Sequence, residues 1–250
     1  MLDEDEKPVF TVVNPGGKSR FLLTADHAGQ EIPLALGDLG VSAADMERHI
    51  AWDIGIAGVT KLLAAALDAT AILQIYSRLV VDCNRPPSVP SAFPEISEAT
   101  TIPGNLGLTQ AEKRARQEAI FDPYHREIAR LIAARRETPI YVAMHSFTPV
   151  YLDVAREMHA AVLYNRNPRL SHALAALLRR EDGLVVAEND PYRVTDETDF
   201  GVPVHAERAG LDYLAVEIRQ DLIRDQNGQA EWAARLARLL PLAEEAANGG

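Results

Sequence analysis

Seven short apolar runs set the limits on how this chain can fold: RFLLTA (20–25), TAILQIY (70–76), RLVVD (78–82), IYVAM (140–144), AAVLY (160–164), LVVAE (184–188) and YLAVEI (213–218). They are too short for buried helices, and several are rich in Val, Ile and Tyr, as buried strands are. Between most of them the apolar spacing becomes helical. Ile54, Val59, Leu62, Leu63, Ala66 and Leu67 form a 3.6-residue stripe over 54–68. A second helix is predicted from about 110 to 136, opened by a Thr109–Glu112 capping box and interrupted at Pro123. Further helices fit 169–181 and 230–247. Strand and helix in alternation predict one α/β domain over residues 1–250, with a mixed, mostly parallel central sheet and helices on both faces. Residues 1–18 and 245–250 are expected to be peripheral or poorly ordered. The proline-rich segment 83–108 reads as a long loop, a common place for a functional rim.

The composition supports a sizeable core, with 47% hydrophobic and 24% charged residues. A formal net charge of -11 argues against nonspecific binding to nucleic acid or anionic membranes. The one cysteine, Cys83, rules out an internal disulfide and a cysteine-rich zinc site; its neighbours suggest a small buried hydrophobe. The acidic N-terminus MLDEDEKPVF lacks the order of a secretory signal, and no run of ~20 apolar residues is present. A soluble, cytoplasmic protein is expected.

The strand ends carry the candidate chemistry. FLLTAD runs directly into His27 and Glu31, IYVAM into His145, and Glu217 lies inside YLAVEIRQD. In a mostly parallel sheet such ends converge on one edge. Two histidines and a carboxylate are the usual three-ligand set of a catalytic zinc, and other divalent ions fit the same donors. The same spacing also suits a polar helix cap at Asp26 and His27, with His145 in a core niche. YSRLVVDCNRPP offers Arg78, Asp82, Asn84 and Arg85, either as a two-pronged carboxylate site or as an Arg78–Asp82 ion pair before a turn. Glu217 and Arg219 are two apart and face the same side of a strand. Glu217 there is either a general base or half of a structural pair with Arg219. His49 and Asp53 are four apart; a second metal pair or a hydrogen bond to a ligand histidine would suit them. His125, His159 and His172 read as surface or structural.

Five of these stretches, TADHAGQEIP, HIAWDIG, SRLVVDCNRP, AMHSFTP and AVEIRQDL, together resemble the N-formylglutamate amidohydrolase family, in its branch of predicted members, from about residue 20 to 225. The resemblance implies a zinc-carboxypeptidase-like fold, related also to aspartoacylase and succinylglutamate desuccinylase. It implies zinc, or another divalent ion, on His27, Glu31 and His145. Asn84 and Arg85 would hold a substrate carboxylate, Glu217 would activate water, and Arg78 or Arg219 would stabilise the oxyanion. Asp53 and His205 would lie near the substrate. In the carboxypeptidase relatives the first two ligands are spaced His-x-x-Glu; here Gln30 stands at that position, so Asp26 or Gln30 could replace Glu31. The expected substrate is a small N-acyl amino acid such as N-formyl-L-glutamate, in the setting of histidine degradation. The alternatives are a metallocarboxypeptidase of short peptides and a non-enzymatic binder of carboxylated metabolites.

Overall fold

Six of the seven apolar runs, joined by an edge strand from the N-terminal stretch, assemble into one seven-stranded sheet in the computed structural model, which describes residues 1–3 and 5–249. The strands are β1 (Phe10–Val13), β2 (Phe21–Ala25), β3 (Thr70–Gln74), β4 (Ile140–Phe147), β5 (Ala160–Leu163), β6 (Val186–Glu188) and β7 (Tyr213–Arg219). Their spatial order is β1-β3-β2-β4-β7-β5-β6. Four of the six pairings are parallel; β1 with β3 and β7 with β5 are antiparallel. The predicted single α/β domain with a mixed, mostly parallel sheet is therefore present.

Helices cover both faces, as the fully buried central strands require. On one face α1 (Ile56–Leu67), α4 (Arg169–Leu178) and α5 (Gln226–Asn248) bury Val59, Leu63, Leu174 and Leu236 against Leu23, Val142, Val162 and Val216. On the other face α3 (Asp122–Ala133), which follows α2 (Gln110–Arg116) in the chain, packs Ile128 and Leu131 into one cluster with Leu22, Ile72 and Tyr141. The Thr109–Glu112 capping box forms as read from the sequence. Pro123 does not break the segment. Residues Gln117–Phe121 widen into a π-wound turn that leads straight into α3, and this turn accommodates Pro123 at the start of α3.

One element differs from expectation. RLVVD is no strand: Leu79, Val80 and Val81 are buried, but the chain turns there, with Val80 N donating to Ser77 O and Arg78 paired to Asp82. The stretch 1–18 supplies the edge strand β1, and α5 reaches Asn248; Glu4 and Gly250 lie outside the described residues. Among the described residues no helix is long and apolar enough to cross a membrane.

Candidate metal centre

The site grows out of strand register. β4 and β7 are parallel, with Tyr141 opposite Tyr213, Ala143 opposite Ala215, and His145 opposite Glu217. Alternation sends each of these side chains to the face covered by α3. Neighbouring β2 sets Leu22 beside Tyr141 and Thr24 beside Ala143, so the chain leaves the sheet at Asp26 and His27 at the level of His145. Three strands thus deliver polar groups to one edge of the sheet.

A fourth element is the loop before α1. Asp53 N donates to His27 O at 2.9 Å, and Ser146 Oγ donates to Ile54 O at 3.0 Å, which fastens the loop to β2 and β4. Gly55 closes it with φ 83°, and a Cβ there would lie 2.1 Å from Ile223 O, so only glycine lets the loop enter α1 this way. Asp53 is thereby buried with Oδ2 3.1 Å from His145 Nδ1 and 3.6 Å from His27 Nδ1; Ser146 N also donates to it at 3.2 Å. His27, Asp53 and His145 each bring a donor atom within 4.8 Å of the others.

Asp82 stands behind His27, accepting from Nε2 at 2.7 Å. That bond leaves Nδ1 as the unprotonated nitrogen of a neutral ring, and His27 Nδ1 is buried without a hydrogen-bond partner. A carboxylate fixing the tautomer of an imidazole whose other nitrogen is free is the arrangement around metal-bound histidines. Two imidazoles, one carboxylate and an orphaned ring nitrogen fit a divalent cation. The charges agree. Burial disfavours charge on His145, yet the hydrogen bond to Asp53 and its charge raise the pKa to about 9. Burial likewise opposes ionisation of Asp53, but His27 beside it and the hydrogen bond with His145 hold its carboxyl low. The pocket concentrates negative charge that calls for cations.

A cavity of about 320 Å³ opens above this cluster. Glu217, Arg78, Asn84 and Arg85 line it together with the cluster. Glu217 Oε2 is buried with no partner, and burial raises its pKa to about 7 against the pull of His145. Arg78 is bound by Asp82 at 2.7 Å and lies 3.5 Å from Asp53. Asn84 is spent on the chain: its Oδ1 accepts from Phe200 N and Gly201 N at 3.3 and 3.0 Å, and its Nδ2 donates to Asp199. Arg85 Nη1 donates to Thr198 O and lies 3.8 Å from Asp199, while its Nε and Nη2 have no partner among the described residues.

Five residues that the sequence offered for the site stand outside the cluster or are engaged elsewhere. Glu31 bridges to Tyr76 beside the sheet edge, and its carboxylate pairs with Lys7 at the surface; Asp53, folded back by its loop, supplies the carboxylate of the cluster. Asp26 is buried beside His27 but accepts from Tyr124 Oη at 2.7 Å, and Gln30 lies near Glu47. Arg219 shares the parity of Glu217 but passes the end of the cavity, where Asp221 and the carbonyls of Arg156, Glu157 and Met158 hold it. His205 sits behind the cavity against His125, ring nitrogens 2.9 Å apart, with His125 bonded onward to Cys83 O at 2.8 Å.

Two residues were not legible in the sequence. Tyr192 lines the cavity, and Arg156 bonds its hydroxyl at 3.0 Å while lying 5.0 Å from the ring centres of both Tyr151 and Tyr192. They come from aperiodic segments, where only the turn residues of NDPY offer a signal.

Fold and site together are those of an α/β protein with a buried two-histidine, one-carboxylate centre at the C-terminal edge of its parallel strands. The family model for N-formylglutamate amidohydrolase matches residues 19–224, and the chain belongs to that family, which places it among the hydrolases. It is similar over 99% of both chains to the solved structure of gene product Atu2144 from Agrobacterium tumefaciens, at 38% identity and a TM-score of 0.95. It shares its fold with the N-formylglutamate amidohydrolase from Ralstonia eutropha JMP134, at 20% identity and a TM-score of 0.68, over 96% of this chain and 99% of that one. No curated protein matches the sequence.

Proposed function

We propose that the protein is a divalent-metal-dependent amidohydrolase that removes a formyl or other small acyl group from an N-acyl amino acid. The observation that carries this reading is the juxtaposition of the His27–Asp53–His145 cluster with the unpartnered, buried carboxyl of Glu217 in one cavity. A divalent ion held by the three residues, zinc being the best match to the donors, would supply a Lewis acid for the amide carbonyl and a more acidic water.

The chain's own groups supply the rest. Asp82 holds His27 in the tautomer that leaves Nδ1 free. Glu217, poised near neutrality, takes a proton from the attacking water and returns it to the leaving amine. Arg78, fixed by Asp82, presents its guanidinium to negative charge growing on the carbonyl oxygen. Arg85 receives the substrate carboxylate on its unengaged Nε and Nη2.

The test is release of formate or another carboxylate from a panel of N-acyl amino acids. Activity is expected with zinc, lost on chelation and restored by added metal. Hydrolysis that survives full metal removal, or none with any metal, overturns the reading.

A further inference from the structure

The register that sets His145 beside Glu217 lays a second row directly beneath. Ala143 faces Ala215, and Ala215 faces Leu163 on antiparallel β5. All three line the cavity, and so do Val194 and Val202. Each is at most 5% exposed, and the two alanines are the smallest side chains of the row. Beside its metal-binding and charged groups the cavity therefore has an aliphatic patch made by these five residues.

The aliphatic wall adjoins Arg85. Val194 and Val202 flank the segment whose Thr198 and Asp199 hold Arg85, and whose Phe200 and Gly201 amides are held by Asn84. A substrate whose carboxylate rests on Arg85 thus turns the rest of its amino-acid half toward this wall. The charges nearby are unfavourable to a second carboxylate. The lining arginines are Arg78, taken by Asp82 and Asp53, and Arg85, needed for the first. Asp53, Asp82, Asp199 and Glu217 line the same space. A carboxylate put against alanine, leucine and valine without a cation is strongly disfavoured.

We infer that the amino-acid half of the substrate carries an uncharged apolar side chain, seated against Ala143, Ala215, Leu163, Val194 and Val202. This rests on the amidohydrolase reading above, and it separates the protein from a hydrolase specific for acidic N-acyl amino acids.

The experiment compares kcat/KM of the zinc-loaded protein for N-formyl-leucine, N-formylalanine and N-formylglutamate. N-formyl-leucine is expected to lead each of the others by about 10-fold or more, the scale on which an apolar pocket discriminates. Ala215→Val narrows the wall and should lower the leucine-to-alanine ratio by about 10-fold. Leu163→Ala widens it and should move the preference toward N-formylphenylalanine. Calorimetric binding of intact N-formyl-leucine and N-formylglutamate to the Glu217→Gln protein reads the same preference without turnover. Tighter binding of the leucine compound with no hydrolysis of any amide by the wild type would remove the reaction and keep the pocket. Equal or better binding of the glutamate compound, no binding of either, or a leucine-to-alanine ratio indifferent to both wall variants, overturns the inference.

Discussion

Glu217 has its carboxyl in a buried strand, opposite a histidine and without a partner for Oε2, a costly placement that fits the proposed proton-transfer role. Glu217→Gln keeps the volume and removes the base. Turnover is expected to fall about 10²–10⁴-fold while bound metal stays at the wild-type level. Near-normal kcat in a metal-loaded sample would assign the proton transfer elsewhere, and loss of metal would make Glu217 a ligand. Asp82 makes a different contribution, since it touches His27 Nε2 and not the cluster's free nitrogen. Asp82→Asn should weaken metal affinity about 10–100-fold, read by competition with a chromophoric chelator. Unchanged affinity would reduce Asp82 to the partner of Arg78. At this scale the sequence pointed to the two histidines that the structure brings together with Asp53, because His27 and His145 directly follow or end apolar strands. It could not show which carboxylate joins them. Glu31 is nearer in the chain, but Asp53 is brought back by a loop whose path depends on Gly55 and on bonds to β2 and β4.

At the scale of elements, a run of apolar residues was a good guide to strands buried on both faces, such as Ile140–Phe147 and Tyr213–Arg219. It was a poor guide at the margins. Phe10–Val13 is a half-exposed edge strand with little pattern, and Leu79–Val81 are as buried as any strand while belonging to a turn. Arg219 shows the limit of alternation: parity placed it on the right face, but it lies one step past the end of the cavity. The segment that carries Val194 to Val202 depends on one close approach. A Cβ on Gly201 would lie 2.8 Å from Tyr141 Oη and 3.3 Å from Asp26 Oδ2. Gly201→Ala should therefore cost about 1–3 kcal/mol, as overpacking does, and raise KM by shifting Thr198 and Asp199 off Arg85. Wild-type stability in chemical denaturation would show that the segment yields without strain.

Over the whole molecule, the pair His125–His205 links α3 to the segment under the cavity and sets an acid limit on stability. Burial lowers the pKa of His205 to about 4, and burial together with His205 holds His125 well below its ordinary value. The unfolded chain protonates these rings near pH 6.5 and the folded one does not, so the unfolded state binds more protons below that point. Their contribution is fully present above pH 6.5 and is lost as pH falls toward 4, by about 1.4 kcal/mol per pH unit for each ring. The midpoint of urea unfolding should drop between pH 6.5 and 4.5, and His205→Gln should flatten that slope. An identical slope in the variant would assign the acid lability to other groups.

The reversed direction of β5 has a consequence for how such a protein changes over time. Because β4 ends and antiparallel β5 begins on the same edge of the sheet, residues 148–159 never have to cross it. They stay at the cavity mouth, where Arg156 grips Tyr192 from the neighbouring segment. The reacting groups are written into strands and the loop before α1, and the mouth into two pieces of chain that carry no strand of the central sheet between β4 and β5 or between β6 and β7. Descendants of one ancestor can therefore exchange or lengthen these two pieces, and so acquire new diets, while inheriting the same chemistry beneath.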